Sequence, residues 1–92
     1  MTTIFTKDTA EVLDYSIDYA DDLAPGETII NSSWSSDAGI TVSGPSNTNT
    51  VSTIWASGGS EGSLYWFYNP ITTSAARTFR RRFGIFIGPV DA

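Results

Sequence analysis

Apolar and polar residues alternate strictly from Leu13 to Tyr19, with Asp14, Ser16 and Asp18 set between Leu13, Tyr15, Ile17 and Tyr19. A period of two predicts a strand with one face buried. The cluster Asp21, Asp22, Pro25, Gly26 predicts a turn, and from Glu27 to Trp34 an extended pattern resumes with Ile30, Ser32 and Trp34 on one face. Ile40 to Ser43 is a short β-branched run, bounded by Gly39 and by the group Gly44, Pro45, Ser46, Asn47. Thr50 to Ser57 carries Val51, Thr53, Ile54 and Trp55, residues suited to a pleated surface, and Gly58 and Gly59 close it. Ser63 to Tyr68 is apolar or amphipathic on both faces, which predicts a strand covered on both sides, and Pro70 predicts its end. The last strand runs from Thr78 to Ile87, with Phe79, Phe83, Ile85 and Ile87 on one face and Arg80, Arg82 and Phe86 on the other, while Arg81 interrupts the alternation.

No window shows helical periodicity. Six to seven short strands, spaced by about 10 residues with turn signals between them, predict an all-β fold, an immunoglobulin-like two-sheet β-sandwich of antiparallel strands. The prediction rests on strand pattern alone, because the cysteine pair of antibody domains is absent. A chain of 92 residues sets one domain over 1–92, with residues 1–8 available as an extended N-terminal arm. Three Trp, four Tyr and five Phe supply the bulky side chains that so small a core requires.

Cysteine and histidine are both absent. A thiolate nucleophile, a disulfide, a zinc site and an imidazole base are therefore excluded, and with them most hydrolase and redox chemistry. No cofactor and no enzymatic activity are expected. The formal charge of -5 argues against nucleic acid as the main partner and for a protein partner or none. No run approaches the roughly 18 apolar residues of a membrane helix, and Met1 to Thr9 lacks the basic-then-apolar order of a signal peptide, so no membrane partner is expected.

Charge is segregated along the chain. Asp8, Glu11, Asp14, Asp18, Asp21, Asp22, Glu27 and Asp37 face a single base, Lys7, in the first part, whereas Arg77, Arg80, Arg81 and Arg82 lie together near the end. Arg80 and Arg82 share one strand face, as do Asp14 and Asp18, so a cross-strand charge ladder is expected, within one chain or between copies. That reading outweighs contact of the arginines with phosphates in a chain of net negative charge. Asp18, Asp21, Asp22 and Glu27 surround a Pro-Gly turn, but their spacing matches no calcium loop and no metal is assigned. Read as a glycosidase pair, the same carboxylates lack room for a sugar pocket in so small a sandwich. Trp34, Trp55 and Trp66 are the candidates for a carbohydrate-stacking platform; the competing reading, core packing, is favoured for at least two of them, with Trp34 and Trp55 inward. Phe86, facing away from Phe83, Ile85 and Ile87, is the candidate apolar contact with another chain.

The chain also resembles a known family. Lys7-Asp8, LDYSIDYADDLAPGETI from Leu13 to Ile29, Trp34, GITV from Gly39 to Val42, SGGSEGSLY from Ser57 to Tyr65 and ITTSAART from Ile71 to Thr78 are similar to segments of small immunoglobulin-like virion structural proteins of tailed bacteriophages and prophages. The SGG-x-x-G-x-x-Y turn at Ser57 to Tyr65 and the ITTS segment are its most specific parts. The chain departs from the pattern at Ala76, where a glycine is expected before Arg77, and in the basicity of Arg80 to Arg82. The resemblance implies an accessory virion component with no catalytic residues. It would dock on other virion proteins, either as a capsid decoration or cement protein or as a neck or tail-fibre adaptor. Its expected location is the virion, after synthesis in the bacterial host cytoplasm.

Overall fold

The computed structural model describes residues 3–88. Among the described residues there are eight strands: β1 (Thr3–Lys7), β2 (Leu13–Asp18), β3 (Ile29–Ser32), β4 (Ser35–Ser36), β5 (Ile40–Asn47), β6 (Val51–Gly58), β7 (Leu64–Thr73) and β8 (Thr78–Ile87). The first sheet has the order β1-β8-β7-β3, with β4 also pairing β7; the second has the order β2-β6-β5. The all-β sandwich expected from the alternation is thus present, with two differences. There are eight strands, and β1 pairs β8 in parallel. The expected N-terminal arm is therefore in part a sheet edge. Residues 1–2 of that arm and 89–92 of the expected domain lie outside the described residues.

The strand predicted to stop before Pro70 continues to Thr73, between β8 and β3. Pro70 is tolerated because its carbonyl accepts from Ser33 N (3.1 Å), so its nitrogen faces the same side, where the strand edge is interrupted between β3 and β4. The missing N–H removes no bond to β8. The stretch from Glu27 to Trp34 is likewise not one regular strand: a register shift between Ile29 and Asn31 reverses its faces, burying Ile29 and leaving Ile30 64% exposed. Trp34 still turns inward.

The core is aromatic. Phe83 is 2% exposed and lies against four rings: Phe67 stacked at 5.3 Å, Phe5 at 5.5 Å, and Tyr15 and Trp34 at 5.7 Å. A second cluster, Tyr19, Ile29 and Ile71, fills the end of the sandwich near the β2–β3 and β7–β8 turns. A polar chain joins the two sheets. Buried Asn69 donates to Ser32 Oγ (3.0 Å) and Ser33 O (2.6 Å), Ser32 Oγ meets Ser52 Oγ at 2.7 Å, and Trp34 Nε1 donates to Ser52 Oγ (2.9 Å). Tyr19 OH closes it on Asn69 Oδ1 (2.9 Å). These bonds explain why Ser52 and Asn69 are fully buried without a desolvation penalty left unmet.

The SGG turn has a physical reason. Gly59 sits at φ 93°, and a Cβ there would lie 2.8 Å from Ile87 Cγ1, so only glycine admits the approach of β8. Tyr65 OH then accepts from Ser60 N (2.9 Å), and Gly58 O accepts from the buried Lys7 Nζ (2.9 Å), tying the end of β1 to the same turn.

Ala76, in the β7–β8 turn, has φ 62°, the left-handed region that favours glycine. Ala76→Gly is expected to raise stability by about 0.5–1 kcal/mol, the relieved strain exceeding the added freedom of the unfolded chain. Urea unfolding checks it, and a lower midpoint at unchanged slope would contradict it.

Candidate docking faces

Register places β7 residues opposite β8 residues in fixed pairs: Leu64 with Phe86, Trp66 with Gly84, Tyr68 with Arg82 and Pro70 with Arg80. Ile4 of β1 lies opposite Gly84. The outer face of the first sheet therefore gathers Arg80, Arg82 and Phe86, as expected, and adds Ile4, Leu64, Trp66 and Tyr68. Gly84 makes this layer possible: a Cβ there would meet Leu64 Cδ1 at 3.1 Å and Trp66 Cζ3 at 3.2 Å. The Arg82 guanidinium lies 4.6 Å from the Trp66 ring centroid and that of Arg80 lies 5.0 Å from Tyr68. Each stack holds a long side chain over an aromatic plane at little entropic cost. Ile4, Leu64 and Phe86 are left 54%, 39% and 40% exposed, an apolar area beside the cationic one. Arg80, Arg81, Arg82 and Tyr68 line a cavity of about 310 Å³.

Asp14 and Asp18 lie elsewhere. Strand β2 pairs β6 in the second sheet, whereas β8 pairs β1 and β7 in the first, so the ladder expected within one chain does not form. The cause is topological: charge blocks at the two ends of the sequence fall in different layers. Asp14, directly opposite Trp55, and Asp18 are exposed positions of β2 in the second sheet, Asp14 away from the arginines and Asp18 toward the edge that faces Arg82. Asp18 and Arg82 meet only across a groove of about 300 Å³ at the open edge between β2 and β1/β8. Among the described residues the arginines find other carboxylates. Arg81 pairs Asp22 at 3.2 Å, and Arg77 pairs Glu27.

The three indoles do not share a surface. Trp34 is packed on the core, Trp66 lies on the outer face of the first sheet, and Trp55 is 40% exposed on the outer face of the second. Trp55 was expected inward with Val51 and Thr53; the inward positions are Ser52, Ile54 and Ala56. A common stacking platform for sugar is therefore not formed.

Glu27 is not a free turn carboxylate. It accepts from Arg77 Nε (3.0 Å) and Nη2, from Thr73 Oγ1 and from Ala24 N (2.8 Å), while Arg77 Nη2 also donates to Asp22 O (3.1 Å). This buried hub joins the β2–β3 turn to the β7–β8 turn. The Arg77 guanidinium, then Thr73 and the Ala24 N–H, hold its pKa down to about 2 from 4.5. A carboxylate with a depressed folded pKa contributes stability that is complete above its unfolded value and is lost as pH falls through the folded one. Wild-type stability is thus expected to fall between pH 4.5 and about 2 through this group, and Glu27→Gln to flatten that dependence while being less stable at pH 7. Parallel pH profiles for the two proteins, measured by thermal unfolding, would reject the assignment.

A small immunoglobulin-like sandwich, with two differently charged outer faces, is the class defined by this architecture. The solved "PKD domain from KIAA 1837 protein" is similar in fold, with a TM-score of 0.54 at 15% identity, covering 99% of this chain and 87% of that one. None of the curated proteins compared with the chain matches it. Residues 7–86 match the family described as "Podophage GP4 fiber-tail adaptor protein gp77", and the chain belongs to that family. The resemblance to small immunoglobulin-like virion proteins is thereby borne out.

Proposed function

We propose that the chain is a non-enzymatic tail-fibre adaptor of the phage particle, folded as one sandwich domain over residues 1–92 and docking on other virion proteins through its outer faces. The observation that carries the reading is the opposition of two surfaces. Arg80, Arg82 and Phe86 stand on one sheet, and Asp14 and Asp18 on the other, so one molecule presents different chemistry to partners on its two sides. An adaptor needs such a pair of unlike contacts. The same opposition lets the acidic face of one copy meet the basic face of the next, a head-to-tail association between copies. The family description favours the tail over capsid decoration.

Quantitative mass spectrometry of purified particles tests the placement. A copy number matched to a single tail is expected. A copy number that scales with the capsid lattice would transfer the protein to the capsid surface, and absence from particles would end the virion reading.

A further inference from the structure

We infer that the cleft formed by Arg80, Arg81, Arg82 and Tyr68 is a carboxylate clamp for an extended acidic segment of a partner polypeptide, with acids at alternate positions. The inference rests on the adaptor reading and specifies the chemistry of its basic face.

The cleft is lined by Arg80, Arg81, Arg82 and Tyr68, with a volume of about 310 Å³. The guanidiniums are not equivalent. Arg81 is tied to Asp22 at 3.2 Å, whereas Arg80 and Arg82 have no carboxylate within ion-pair distance among the described residues. Their positive charge is instead set against the faces of Tyr68 and Trp66. A cation–π contact uses the charge of the guanidinium and none of its hydrogen-bond donors, and the planar fork of those donors suits a carboxylate in two parallel bonds.

Spacing narrows the ligand. Arg80 and Arg82 are same-face neighbours on β8, separated by about 6.6–6.8 Å, which is also the distance between same-face side chains of an extended chain. Carboxylates at positions i and i+2 of such a segment match both guanidiniums at once. Further along the same face come Gly84 and then Phe86, with Leu64 and Trp66 beside them, an apolar floor for a hydrophobic side chain beyond the acids. A polypeptide supplies that mixture of carboxylate and apolar groups; a nucleic acid does not, and the net charge of -5 repels a polyanion of uniform charge density.

The test uses the full chain and a fluorescein-labelled hexapeptide with glutamates at two alternate positions followed by leucine, read by fluorescence anisotropy. Binding is expected to weaken as salt is raised, to fall about tenfold or more when both glutamates become glutamine, and to fall by a similar factor in R80Q/R82Q. Both substituted side chains lie outside the core, and thermal unfolding of the variant should match the parent. Absence of binding, equal binding of the glutamine peptide, or unchanged binding by the variant would overturn the clamp. So would stronger competition by inorganic phosphate or an oligonucleotide than by unlabelled peptide, or self-association of the chain that the peptide fails to displace. Incorporation of R80Q/R82Q into particles separates the two levels. Normal incorporation alongside lost peptide binding counts against use of this face by the adaptor and supports the clamp as a binding site.

Discussion

Phe83→Ala is expected to lower stability by about 3–5 kcal/mol. Its ring is the common neighbour of Phe5 from β1, Tyr15 from β2, Trp34 from the β3–β4 break and Phe67 from β7. Removing it therefore opens a void that several elements of both sheets border, and collapse to fill it would require them to move together. A domain of this size has a total stability of about 5–15 kcal/mol, so the variant retains at best a fraction of its reserve. The corresponding fall in Tm is about 4–8 °C per kcal/mol. Phe83→Leu, which keeps most of the volume, is expected to cost clearly less. Chemical denaturation of both variants decides the point. A loss under about 1 kcal/mol for the alanine variant would mean that the aromatic cluster does not hold the sheets together.

The interior was legible in the sequence where burial follows hydropathy. Tyr15 between Asp14 and Ser16, and Phe83, Ile85 and Ile87 on one side of the last strand, lie inward as their alternation predicts. The reading fails where polar side chains are buried because they bond one another. Ser52 is an inward residue of β6 through its contacts with Ser32 and Trp34, so counting only apolar residues places Trp55 on the wrong face. The reversal at Ile30 has another origin, a bulge, and one extra residue exchanges the two faces of a strand. Pro70 misleads because its effect depends on which neighbour its nitrogen faces, information held by the paired strands and not by the segment itself.

The docking face was half legible for a similar reason. Parity along β8 unites Arg80, Arg82 and Phe86 without knowledge of any other strand. Which aromatic residue lies beside each arginine depends on the β7–β8 register, and that β2 falls in the other sheet depends on topology. The ladder within one chain is ruled out at this second level, although parity along each strand groups both same-face pairs. The charge block at Arg77 to Arg82 also conceals a division of labour. Arg77 serves a buried hub and Arg81 pairs with a turn acid, which leaves Arg80 and Arg82 without a carboxylate partner among the described residues.

That division makes the charge-reversed pair Arg80→Glu/Arg82→Glu the sharpest functional test. The two substitutions leave Glu27, Arg77 and the aromatic core intact, so the fold is expected to persist with Tm little changed. They also turn a face that attracts carboxylates into one that repels them, and like charges brought together at an interface cost several kcal/mol. At about 1.4 kcal/mol per factor of ten, docking is expected to weaken by about 100-fold or more. Particles assembled with this variant as the sole source of the protein should lack it, or carry it at greatly reduced occupancy. Asp14→Lys/Asp18→Lys distinguishes the partners. If the basic face meets the acidic face of a neighbouring copy, the combined reversal on both faces restores incorporation, because the two charges have exchanged places. If the partner is another virion protein, the combined variant remains as defective as Arg80→Glu/Arg82→Glu alone. Full incorporation of Arg80→Glu/Arg82→Glu at wild-type occupancy would remove the arginine face from the assembly altogether.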